Sequence, residues 1–111
     1  MELSKKDKKV AREVIDTGLQ REFEYGLSKT EEILLNWRKG VGNNKETYHA
    51  VYKQVKSFDK HIALRYDSIT GSRYLLTITG QMLDDVIHEE DLVDFSKEVQ
   101  LYLKRVVKNW S

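Results

Sequence analysis

Apolar residues recur along this chain at spacings of three and four, the period of one face of an α-helix. The clearest stripe follows Asn44: Tyr48, Tyr52, Val55, Asp59, Ile62, Tyr66 and Ile69, flanked by Val51 and Phe58. Asn44 suits an N-cap and Gly71 a C-terminal stop, so the pattern predicts a helix over 45–69. Ser72 offers the next N-cap. Leu75, Thr79, Met82 and Val86, with Leu76, Leu83 and Ile87 beside them, predict a helix over 73–87. A β-hairpin competes there, because Ile62, Leu64 and Tyr66 alternate, as do Tyr74, Leu76 and Ile78, around Thr70-Gly71. It would discard the longer stripes on both sides, and the helical reading is preferred.

The last stripe is Leu92, Ser96, Val99, Leu103, Val106 and Trp110, beside Phe95 and Tyr102, and predicts a helix over 89–109. Glu89, Glu90 and Asp91 suit its positive N-terminal end; Lys104, Arg105 and Lys108 suit its negative C-terminal end. In the first segment Gly26-Leu27-Ser28 followed by Glu31 resembles a stop and a new capping box. Yet Leu19, Phe23, Gly26, Thr30, Ile33 and Trp37 stay in phase across it. One helix over 4–39, with room for a kink near Gly26, is therefore expected, and 40–43 is its loop. Short connections favour antiparallel neighbours. The expected fold is all-α, an up-and-down four-helix bundle formed by a single domain, 1–111.

Composition narrows the class. The 111 residues are 33% charged and 40% hydrophobic, a globular balance, and contain neither cysteine nor proline. Disulfides, thiolate ligands and cysteine nucleophiles are excluded. The basic start, with Lys5, Lys6, Lys8, Lys9 and Arg12, has no apolar stretch behind it and does not read as a secretory signal. No run approaches the roughly 20 apolar residues of a membrane span. A cytoplasmic setting without membrane contact is expected. The formal net charge of +1 gives no general attraction to nucleic acid, and no aromatics interleave the lysine-rich start to stack bases.

Candidate chemistry is sparse. Asp59 occupies a stripe position where an aliphatic residue would be expected. If buried it needs a partner or a raised pKa. Thr30, Thr79 and Ser96 also fall on stripes, and with Tyr52 and Tyr66 could line a polar pocket. The stretch 65–74 gathers Arg65, Tyr66, Ser72, Arg73 and Tyr74 around a turn. Its arginines, with backbone N–H groups after Ser72, suit a phosphate or carboxylate. Glu46 with His49, and Asp85 with His88, are carboxylate-x-x-histidine pairs that could each share a helix face and touch one metal. Further inward-facing acids would be needed, and a cap or dipole role explains each pair more simply. No nucleophile triad or phosphate-cradling glycine loop is present, and no cofactor is implied.

Three readings follow, in descending order. The first is a small assembly module without catalytic activity that binds another copy of itself, as a homodimer, or another protein. The second is a small-anion-binding bundle using Asp59 and the 65–74 corner. The third is a metal-dependent enzyme built on the two histidine pairs.

Overall fold

The first helix, α1 (Lys5–Arg38), runs unbroken through Gly26 in the computed structural model, which describes residues 1–110. Three more helices follow: α2 (Asn44–Tyr66), α3 (Tyr74–Leu83) and α4 (Lys97–Trp110). No strand occurs among the described residues, so the all-α class holds and the β-hairpin alternative falls.

Several boundaries moved. The cap of α2 is Asn43, whose side chain accepts from the Glu46 N–H at 2.9 Å; Asn44 is already helical. The helix stops at Tyr66, short of the expected 69, and Ser68 adopts a left-handed φ of 60°. Gly71 opens a single 3-10 turn, Gly71–Arg73, that leads into α3. The helix expected over 73–87 ends at Leu83. There Asp85 takes φ 61°, and the N–H groups of Val86 and Ile87 both close back on the Gln81 carbonyl. The acidic segment expected to open the last helix forms a separate 3-10 turn, Glu89–Leu92, and α4 begins only after Ser96.

The chain divides into two compact units, Met1–Arg21 with Ser68–Ser111, and Glu22–Asp67. The first has a closed core. The stripe Val10, Ala11, Val14 and Ile15 of α1 is buried, as are Ile78 of α3, Ile87, Leu92 and Phe95 of the connecting segment, and Val99 and Leu103 of α4. The buried polar residues Asp7, Thr79 and Gln81 each make at least one hydrogen bond inside it. The Asp7 carboxylate accepts from the Ser96 N–H at 2.9 Å and the Ser96 hydroxyl at 2.7 Å, so a residue of α1 caps α4. Burial alone would raise the Asp7 pKa. The Ser96 bonds, helped by Ser4 and Lys6, outweigh it and hold the carboxyl below its ordinary value. Gln81 is fully buried and donates to the Ile15 carbonyl at 3.1 Å. Its side chain fills the space where a Cβ on Gly18 would stand.

The second unit is a hairpin of two antiparallel helices, the rest of α1 and α2. Gly26 meets the Phe58 ring, Glu22 meets His61 and Arg65, and the Trp37 indole N–H donates to Asn44 Oδ1 at 2.7 Å. These contacts fix the level of every residue: Glu24 stands beside Asp59 and Arg38 beside Lys45. Only Glu22 and Gly26 are buried here, and α2 buries none of its 23 residues.

Candidate functional site

The hairpin contains the two features that stand out chemically. The first is the Glu22 carboxylate, which is buried on α1 and held by three donors from α2. His61 Nε2 lies 2.7 Å from Oε1, Arg65 Nη1 donates to the same oxygen at 2.8 Å, and the Tyr66 hydroxyl donates to Oε2. His61 and Arg65 are one turn apart on α2, and Tyr66 follows, so one face aims all three at one acid. The anion that Arg65 and Tyr66 were expected to recruit is thus supplied by the chain itself. Sequence reading missed Glu22 because it sits beside the Leu19-Phe23-Gly26 stripe, off the chosen face. The spacing His61–Arg65 was the available signal.

The second feature is apolar. The half-buried positions of α2 are Thr47, Val51, Gln54, Phe58, Ile62 and Arg65, again at spacings of three and four, with Tyr66 at the helix end. They form the side turned to α1. The stripe read from the sequence as the seam is the neighbouring face, and its first half is exposed: Tyr48 74%, Tyr52 60% and Val55 47%. Asp59 is exposed with it, which corrects the expectation of a buried seam carboxylate. The flanking residues Val51 and Phe58 make the contact instead. On α1 the half-buried line is Thr30, Ile33 and Trp37, and Phe23, Leu27 and Leu34 remain exposed beside it.

At about 100° per residue, both exposed stripes lie about a quarter-turn from the line joining the helices. Because the helices run antiparallel, that turn carries both stripes to the same side of the hairpin. One face therefore presents Phe23, Leu27, Leu34, Tyr48, Tyr52 and Val55. The opposite side carries Lys29, Asn36, Ser57 and His61 together with two exposed apolar residues, Tyr25 and Leu64, and is the more polar of the two.

The remaining candidates are dispersed. Asp59, Arg65 and Tyr66 belong to the hairpin, whereas Ser72, Arg73 and Tyr74 belong to the other unit. The Ser72 hydroxyl pairs with Thr70 at 3.0 Å and lines a shallow open cleft of about 160 Å³ with Leu75, Thr79 and Tyr102. The stripe hydroxyls turn inward on their own backbone: Thr30 donates to the Gly26 carbonyl and Thr79 to that of Leu75. His88 Nε2 lies 3.0 Å from Asp85 Oδ1, although both residues lie beyond the end of α3 and share no helix face. Glu46 and His49 sit exposed on the first turns of α2. Among the described residues neither pair gains a third His, Asp or Glu positioned to share a metal ion. No helix among them is long and apolar enough to cross a membrane.

Compared with known families, curated proteins and solved structures, the chain matches none.

Proposed function

We propose that the chain is a small assembly module whose working surface is the apolar face of the hairpin Glu22–Asp67, completed by helices from another polypeptide. One observation carries this reading: a 23-residue helix buries none of its side chains, while six large apolar residues line one side of the hairpin it forms. Helices in proteins take most of their stability from packing an apolar face, not from intrinsic propensity. Contiguous exposed apolar patches of this kind mark partner sites. The small-anion reading ranks behind it, because Arg65 already holds the Glu22 carboxylate and Asp59 faces away from that cluster.

Native mass spectrometry on the chain isolated gently from its own source tests the proposal. The expected species contains further polypeptide, either added copies of 13.1 kDa or another protein, and the addition is lost on Tyr52→Lys. A bare 13.1 kDa species at every concentration removes the reading. A retained small molecule instead would move attention to the Ser72 cleft and the 65–74 corner.

A further inference from the structure

The apolar face of the hairpin is framed by charge, and the frame is not random. At one end stand Glu24 of α1 and Asp59 of α2, level with each other. At the other end stand Arg38 of α1 and Lys45 of α2, also level. All four are exposed, and none makes an ion pair with another of the described residues. The face is thus acidic at one end and basic at the other, and the apolar residues between are edged by Glu31 of α1 and by Lys56 of α2, whose ammonium stands over the Tyr52 ring. On each helix the opposite charges are 14 residues apart, four turns or about 21 Å. The two spans share one midpoint, near Glu31 on α1 and near Tyr52 on α2.

Such a face is complementary to itself after a half-turn. We infer that the polypeptide completing the hairpin is a second copy of this chain, docked face to face and end for end. The two-fold axis lies in the interface, crosses the helices and passes at the level of Glu31. This rests on the assembly reading above and adds the identity and orientation of the partner.

The half-turn makes both charged ends agree. Glu24 of one copy meets Arg38 of the other, and Lys45 meets Asp59, so four ion pairs form from residues left unpaired in the single chain. Leu27 comes level with Leu34 of the second copy, Tyr48 with its Val55, and Tyr52 with its own counterpart. All neighbouring helices run antiparallel, the arrangement that aligns opposite helix-dipole ends. The product is a four-helix bundle built from two hairpins. The other possible two-fold, parallel to the helices, sets α1 against α2 at equal level. It would place Glu24 on Asp59 and Arg38 on Lys45, like charge on like charge at both ends. Like charges set opposite one another are a strong means of rejecting a wrong pairing. Size is at the lower end: helices about 25 Å and about 34 Å long, side by side, offer roughly 600 Å² per copy, against the ~800 Å² per partner of standard interfaces. One feature opposes the pairing. Glu31 lies at the axis and faces its own copy across it.

The test uses the purified full chain alone. Sedimentation should report a dimer that weakens with added salt. Reversing one end, by Arg38→Glu with Lys45→Glu or by Glu24→Lys with Asp59→Lys, should weaken self-association roughly tenfold or more each. Mixing the two reversed proteins should restore a heterodimer. Circular dichroism on each variant confirms that these exposed changes leave the helices formed. Because the chain has no cysteine, disulfide trapping is clean. Glu31→Cys should cross-link to itself under mild oxidation, and Glu31→Gln should tighten the dimer by roughly twofold. A trap between Leu34→Cys and Tyr48→Cys in place of the Glu31 trap would establish the parallel axis and overturn the proposed one. Reversed variants that dimerise as the parent does would overturn the charge argument. A purified chain that stays monomeric would overturn the second copy as occupant. The assembly reading itself fails only if the chain from its own source also carries no polypeptide.

Discussion

The two units of this chain are made from the same kind of sequence and reach opposite packing outcomes. Met1–Arg21 with Ser68–Ser111 closes around Ile78, Leu92 and Leu103, each with no exposed surface. Glu22–Asp67 buries one carboxylate and one glycine. Both show helical stripes at spacings of three and four, the sharpest of them on α4 of the first unit. The difference lies in the number of elements each stripe can find. In the first unit a stripe meets several others from different directions. In a two-helix hairpin each helix has one neighbour, so half of a wide stripe stays in water. Large-to-small changes should read this difference most strongly. Leu103→Ala should lower stability by about 2–5 kcal/mol in chemical denaturation, through lost transfer free energy and an unrelaxed cavity. A loss below about 1 kcal/mol would mean that the first core is no tighter than the hairpin.

Polar burial sharpens the contrast. The hairpin is held at one end by Glu22, whose removal leaves His61, Arg65 and Tyr66 without their shared acceptor. The Arg65 side chain keeps 15% of its surface and that of His61 46%, so water softens the loss. Glu22→Ala should cost about 2 kcal/mol, and amide exchange should accelerate within 44–66 before the rest of the chain. Exchange that rises uniformly would show the hairpin to be no separate unit. In the first unit the matching device is close packing. Gly18→Ala should destabilise by about 1–2 kcal/mol despite its better helix propensity, because the new methyl displaces a buried Gln81 already bonded to Ile15. A variant as stable as the parent would mean that Gln81 moves freely.

Acid should also act on the first unit. Asp7 and Asp91 both have folded pKa values below the ordinary 3.8. For Asp91 the Arg21 guanidinium is the main cause, with two bonds at 2.8 and 3.0 Å. A depressed folded pKa contributes stability that is complete above the unfolded value and is lost as pH falls through the folded one. The denaturation midpoint should therefore hold down to about pH 4 and drop below it. Asp7→Ala should cost about 1 kcal/mol at neutral pH, the scale of a lost helix cap, and should flatten the acid limb. An unchanged acid limb would remove Asp7 from the account.

What was legible in the sequence follows from the same physics. Period 3.6 identified four helices and the buried line Leu92, Phe95, Val99 and Leu103, because each of those residues meets a partner. It failed on α2, where Tyr48, Tyr52, Val55 and Asp59 looked like the seam. Periodicity reports that a face is apolar and is silent on what covers it. The wider of two adjacent stripes was chosen, and the single neighbour took the other. The bundle expected from four helices in one chain is, on the proposal above, assembled by two hairpins from two chains. The early end of α3 was hidden for another reason. A left-handed Asp85 replaced the usual glycine, and nothing in residue type announces that choice. Of the Glu22 cluster only the His61–Arg65 spacing is legible, because the acid they share lies on another helix and beside its stripe.

The smallest expected effect is the most discriminating. Val55 is 47% exposed, so within a single chain its truncation removes few contacts. Val55→Ala should change the stability of dilute monomer by less than about 0.5 kcal/mol, the usual range for surface changes. If the face is covered by a second copy, the same residue is buried at working concentration, and association adds stability by mass action. The difference between parent and variant should then grow as protein concentration rises, while that for Leu103→Ala stays constant. Thermal unfolding followed over a hundredfold range of concentration measures both. A Val55→Ala difference that stays near zero throughout would leave the hairpin face uncovered, and the asymmetry between the two units would be a property of the isolated chain.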